Sequence, residues 1–221
     1  VYIYYGILKT SLPIEVLEKM PWDGEGTAEA PYVIKTPDDM VELYNYVSNK
    51  RMKTKGVYFE LAADLNLKNI HSWRGIADNV TPGFQGHFNG NGHSVWNITD
   101  STYNANGFFG RLGDGAVIEN LTIASGSLGG SYHISIGGIA GVIVEKSVVT
   151  IKNCHNYAQL GGTFGIGGIV GYTEGDSFVK IENCSNHAAI RAFYTGGGIV
   201  GQVGENRRKN NGAGAAVANC Y

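Results

Sequence analysis

Gly138-Ile139-Ala140-Gly141, Gly168-Ile169-Val170-Gly171 and Gly198-Ile199-Val200-Gly201 decide the fold. The three stretches stand thirty residues apart, and a diverged copy, Gly107-Phe108-Phe109-Gly110, precedes them by thirty-one. A second motif follows each copy. It reads Ile118-Glu119-Asn120-Leu121, Ile151-Lys152-Asn153-Cys154, Ile181-Glu182-Asn183-Cys184 and Val217-Ala218-Asn219-Cys220. A fixed period of this length marks an array of supersecondary units, each too small to bury its own apolar face. The apolar residues alternate, as in Val149, Ile151 and Val179, Ile181, which is the period of a strand and not of a helix. Equivalent strands stacked at about 4.8 Å would bury that face together. The expected fold is all-β: a parallel β-helix with an N-terminal capping α-helix.

The recurring residue types suit such stacking. Glycine lets neighbouring coils approach and admits positive φ. Asparagine tolerates the left-handed turn conformation, and its amide can bond to the next coil in a ladder. Cys154 and Cys184 share a repeat phase and should lie one above the other as small core groups. The insertion between Gly204 and Gly214, rich in Asn and Gly, belongs in a loop outside the coil.

Upstream, Thr36-Pro37-Asp38-Asp39 is a helix start, with a capping Thr, Pro at the first position and acids in the first turn. Met40, Leu43, Tyr44 and Val47 follow on one helical face. A helix over about 37–49 suits the cap of a solenoid, covering an open core end and its edge strands. Tyr58 to Leu67, Phe84 to Phe88 and His93 to Ile98 read as strands, and Asn89-Gly90-Asn91-Gly92 as a turn between two of them. The chain thus divides into an extension or linker at 1–21, leading coils with the cap at 22–106, and repeats at 107–221.

Composition excludes several classes. Charged residues are 16% of the chain, against about 25% in an average protein. Net charge is −2, so no basic excess drives nucleic-acid binding. No apolar run reaches the roughly 20 residues of a membrane span. Three cysteines, with no CxxC pair, argue against zinc-ribbon and thioredoxin chemistry. The absence of an initial Met and the stop at Tyr221 suggest a segment of a longer protein.

The chemistry-bearing residues are sparse in pattern. The six histidines form neither HExxH nor HxxxH; His87 and His93 flank a turn but make a weak metal pair. Gly196 to Gly201 fits GxGxxG without a strand–helix context for a dinucleotide. Scattered acids (Asp64, Asp78, Asp100, Asp114, Glu119, Glu145, Glu174, Asp176 and Glu182) could serve a polysaccharide lyase or glycosidase if they clustered. Glu119, Lys152 and Glu182 share one phase, which reads as an ion-paired ladder. No catalytic, cofactor or metal residue is assigned. The candidate ligand-binding residues are Phe164 and Tyr194, each four residues before a Gly-Ile-Val-Gly unit, with Ile134 at the same phase one coil earlier. Their exposure separates a binding role from mere packing.

The Gly-Ile-Val-Gly units followed by Ile-x-Asn-Cys resemble the GLUG repeat of bacterial surface proteins, adhesins and non-catalytic regions of immunoglobulin A protease-like proteins. Trp22 to Thr27, Pro31 to Ile34, Asp38-Asp39-Met40, Ala63 to Leu67 and Phe84 to His93 are similar to the module that commonly precedes those repeats. The resemblance covers 22–221, although the first repeat lacks the Cys. It implies a right-handed parallel β-helix on an extracellular or surface-anchored bacterial protein. No cofactor is expected. A stiff solenoid suits a stalk or adhesive module that joins other domains of its parent chain, and Phe164 and Tyr194 support binding of a host glycan or matrix protein. A carbohydrate-active enzyme, or an accessory region of an immunoglobulin A protease-like metallopeptidase, is the alternative.

Overall fold

The computed structural model of the chain describes residues 19–100, 106–130, 132–204 and 212–221. It is a β-solenoid of about six turns with one short helical segment near its N-terminus. All strand-to-strand pairings within the five sheets are parallel, each strand pairing with its equivalents in adjacent coils. The longest sheet has seven strands, from Tyr32–Ile34 through Val148–Lys152 to Gly214–Ala218.

Register follows the repeat. Phe59, Phe88, Ile118, Ile151, Ile181 and Val217 occupy one column of the seven-stranded sheet. The first five are buried, so the alternating apolar residues line a continuous core. Removing such a column residue costs about 2–5 kcal/mol when truncated to Ala.

The glycines of the repeat mark places where coils touch main chain to main chain. A Cβ on Gly168 would stand 2.0 Å from the carbonyl oxygen of Gly198 and 2.4 Å from the Asn186 Cβ. Gly201, within the GxGxxG string, lies against the main chain of Gly165 and Ile166 in the same way. That string is a coil contact, in keeping with its strand positions Gly196–Gly197 and Val200–Val203.

At the coil corners Asn120, Asn153, Asn183 and Asn219 all have φ between 52° and 55°. Their amides form the expected ladder: Asn120 donates to Asn89 at 3.0 Å, Asn153 to Asn120 at 2.9 Å, Asn183 to Asn153 at 3.2 Å and Asn219 to Asn183 at 3.2 Å. Cys154 and Cys184 stack inside the corner, with the Cys154 N–H on the Cys184 sulfur at 3.4 Å. Both are buried free thiols; Cys220 is also free but half exposed. Burial pushes the Cys154 thiol well up.

The cap helix α1 spans Pro37–Tyr44 and continues as a π-helical turn over Asn45–Asn49. Thr36 Oγ1 accepts from the Asp39 N–H at 3.1 Å, and Asp39 Oδ2 accepts from the Thr36 N–H at 2.9 Å. The wider π turn shifts the helical phase, so Tyr46, Val47 and Ser48 are buried while Tyr44 is only partly so. Trp22, Tyr46 and Phe59 meet edge to face beneath it, closing this end of the core.

Asn89 to Gly92 is the expected turn between two strands; His87–Asn89 and Ser94–Trp96 lie in different sheets and pair only with other coils. The turn is a solenoid corner, its Asn91 held at φ 51° by bonds to Asn89, Glu60 and Leu61. The extension at 1–21 lies outside the described residues up to residue 18, as does most of the insertion, 205–211.

Candidate functional site: outward columns of the solenoid

In-register coils place equivalent side chains above one another, so a surface residue acts as part of a column. Three columns carry the residues that could do chemistry or binding.

The first is the acid–base column. Glu119, Lys152 and Glu182 share a register position as the spacing implied. The ladder is not simply exposed, however. The Glu119 side chain is only 12% exposed; it pairs with Lys152 Nζ at 2.7 Å and with His87 Nε2 on its other oxygen. Burial opposes its charge, but the hydrogen bonds from Lys152 and His87, with their charges, outweigh that and hold the carboxyl below the usual range. Glu182 pairs instead with Lys180 at 3.0 Å. A carboxylate held by hydrogen bonds from Lys152 and His87 is poised to stay ionised, which suits an ion-pair strut better than a general acid.

The other acids are dispersed. Asp114 accepts from Lys55 and the Val148 N–H, Glu174 from Arg111 and the Glu145 N–H, and Asp64 from His93 and the Ser94 N–H. His87 and His93 therefore serve different carboxylates. Asp176 accepts from the Gly212 N–H. Asp78 is buried beside Arg74 Nε at 3.2 Å, and burial raises its carboxyl above the usual value. No cluster of three or more metal-ligating side chains occurs among the described residues.

The second column holds Phe164 and Tyr194. Ile134 pairs with Phe164 in register, on the sheet of Ile134–Gly137, Phe164–Gly167 and Gly196–Gly197. Phe164 and Tyr194 stack at 4.4 Å with planes 15° apart, and Phe193 meets Tyr194 edge-on at 4.7 Å. The stack is nonetheless open: Phe164 is 42% and Tyr194 63% exposed. Beside it runs a trough of about 500 Å³ over the neighbouring four-stranded sheet, lined by Ser127, Gly129, Gln159, Gly161, Arg191 and Phe193 among others. Gly129, Gly161 and Arg191 are in register, so the trough crosses coils along the solenoid. A Cβ at Gly161 would meet nothing nearer than 3.9 Å, which leaves its main chain open on the floor.

The third column escapes sequence inspection. On the five-stranded sheet the outward positions Asn66, Trp96, Ala124, Tyr157 and His187 fall in line: the register pairs Asn66 with Trp96, Val95 with Ile123, Ile123 with Asn156, and Asn156 with Asn186. Tyr157 and His187 stack at 4.4 Å and 8°. Ser185 Oγ lies 2.7 Å from His155 Nδ1 and 2.8 Å from His187 Nε2, joining successive coils beside that stack. The steps from Trp96 to Ala124, Tyr157 and His187 are 28, 33 and 30 residues, and this unevenness hides the column from a search at one fixed period.

With this geometry, comparison with known proteins is informative about fold. The chain is similar to a protein provisionally assigned as an immunoglobulin A1 protease from Bacteroides ovatus, with a TM-score of 0.61 and 21% identity over 90% of this chain and 76% of that one. That likeness is one of fold. In sequence it is 32% identical over 154 residues to halomucin of Haloquadratum walsbyi. It is also 32% identical over 142 residues to a provisionally assigned Gly-rich membrane protein of Evansella cellulosilytica. These matches cover 64% and 59% of the chain but only 2% and 15% of the relatives, so the chain corresponds to a small part of either. No protein-family model matches. Among the described residues, no helix is long and apolar enough to cross a membrane.

Proposed function

We propose that this chain is a non-catalytic, extracellular or cell-surface β-helix module of a larger protein, acting as a stalk that also presents a binding surface. The observation that carries the reading is the open Phe164–Tyr194 stack beside the trough. Fully burying an aromatic side chain contributes about 1.5–3 kcal/mol. A solenoid that leaves three neighbouring rings, Phe164, Phe193 and Tyr194, in water forgoes that stabilisation, and a partner seated on them recovers it. The dispersed, paired acids favour this over a carbohydrate-active enzyme. The names of the two relatives, halomucin and a membrane protein, fit a parent at the cell surface, and the immunoglobulin A1 protease assignment of the structural neighbour fits a secreted or surface one. The GLUG-type resemblance, with its host glycan or matrix-protein partner, belongs to the same reading.

The test is an array of glycans and matrix proteins probed with the chain and with a Phe164→Ala/Tyr194→Ala double variant, each checked for native circular dichroism. Binding by the wild type that disappears in the folded variant is the expected result. A folded wild type that binds nothing, or a variant that binds equally well, removes the adhesive half of the proposal.

A further inference from the structure

The Trp96–Ala124–Tyr157–His187 column contains a gap. Its far end shows how side chains lie there: the Tyr157 and His187 rings are 8° from parallel and one coil apart, flat across the solenoid axis. At Ala124 the column loses its ring. Trp96 and Tyr157 are two coil steps apart, about 9.6 Å at 4.8 Å per step. With the Trp96 ring lying across the axis as the Tyr157 ring does, one ring placed over Ala124 would lie about 4.8 Å from each wall, within the range of stacked rings. Tyr157 remains 47% exposed although His187 covers its far face, so its bare face is the one toward Ala124. Trp96, on the other side, is 44% exposed.

We infer that this gap is a slot for one pyranose ring of a neutral, β-linked glucan. Three observations select that chemistry. A pyranose is thicker than a flat aromatic ring and fills a two-step gap without either wall moving. The flanking outward positions are hydroxyl- or imidazole-bearing: Ser94, Thr122 and His155 share one register column, and Ser125 follows Ala124. His155 Nδ1 is engaged by Ser185, and its Nε2 has no partner among the described residues, so it can meet a sugar hydroxyl. No Lys or Arg stands in these columns to meet an anionic sugar, and the one carboxylate at their edge, Asp64, is already engaged by His93 and the Ser94 N–H. A ring held on both faces must present C–H groups on both, as all-equatorial β-glucopyranose does; an axial hydroxyl would face one of the aromatic walls. The slot lies on a different sheet from Phe164 and Tyr194 and does not depend on them.

Tryptophan emission reads the slot directly, because Trp22 and Trp73 are buried and Trp96 is exposed. Titration of the full chain with cellohexaose should shift the emission to the blue and saturate, with a β-1,4-galactan hexamer acting much more weakly. Ala124→Phe supplies the missing ring from the protein itself. It should leave thermal stability unchanged or higher and weaken cellohexaose binding about tenfold or more. Tyr157→Ala removes one wall and should cause the same loss, which covers the case of a phenylalanine variant that does not fold. Phe164→Ala/Tyr194→Ala should keep the response, separating this site from the array result. No blue shift up to the solubility limit of cellohexaose, an equal response to the galactan hexamer, or undiminished binding by either folded slot variant would overturn the inference.

Discussion

Asn156→Ala should be among the most damaging polar truncations in the solenoid. Leu65, Val95 and Ile123 hold the inward position of the five-stranded sheet in the leading coils, and Asn156 and Asn186 take it over in the next two. Asn156 is fully buried, and each hydrogen-bonding atom of its amide is engaged. It donates to the Ala158 carbonyl at 3.0 Å and to Asn186 Oδ1 at 2.8 Å, and accepts from the Ala158 N–H at 3.1 Å. Alanine leaves the buried N–H and C=O of Ala158 without partners, at roughly 1–3 kcal/mol for each unsatisfied group. With the carbonyl at the low end, the sum is about 3 kcal/mol. Asn186 makes the same turn bond, to Ala188 at 3.0 Å, but is only partly buried. Water can replace its amide there, so Asn186→Ala should cost about 1 kcal/mol. Equilibrium urea unfolding followed by circular dichroism gives both values. Equal costs for the two alanines, or less than about 1 kcal/mol at Asn156, would refute the argument from burial.

Two further outcomes follow from the electrostatics and the thiols. The Glu119 carboxyl is depressed in the folded state, so its stabilisation is present above the unfolded carboxylate pKa and is lost as pH falls through the lower folded value. Glu119→Gln should therefore cost about 1 kcal/mol at neutral pH, Lys152 being fairly exposed, and the difference from wild type should vanish in acid; urea midpoints measured from neutral pH down past the carboxylate range would show a constant difference if the clamp were inert. A chromogenic disulfide reagent added to the native chain should titrate one thiol first, the accessible Cys220, slowed by the burial that pushes its thiol up, with Cys154 and Cys184 following only on unfolding; release of three equivalents from the folded chain would contradict the packing of the cysteine column.

The repeat was legible because its period, its glycines and its corner asparagines answer to the same backbone requirement in every coil. The φ values near 50° at Asn120, Asn153, Asn183 and Asn219 and the stacked cysteines follow directly from that phase. The cap was legible in Thr36-Pro37-Asp38-Asp39, though not the π turn that brings Tyr46 inward, because the added residue leaves no mark in helical periodicity. Asn89-Gly90-Asn91-Gly92 was legible as a turn, though not which strands pair beside it, because a solenoid corner and a hairpin ask the same of φ. The Phe164–Tyr194 phase was visible at a spacing of thirty, whereas the Trp96 column was not, its coils differing in length by up to five residues. Lys152 was legible as a partner of Glu119 from their shared phase, whereas His87 was not, since it reaches Glu119 from the preceding coil of an irregular region.

The hydrogen bonds between coils run along the solenoid axis, and each turn adds only about 4.8 Å of height. A thirty-residue turn drawn out straight spans about 100 Å. Tension applied at the end opposite α1 would therefore meet coils that detach singly, each extending to roughly twenty times its own folded height. Built this way, the fold stores slack: it is short at rest, and under tension it would lengthen by whole coils before α1 is disturbed.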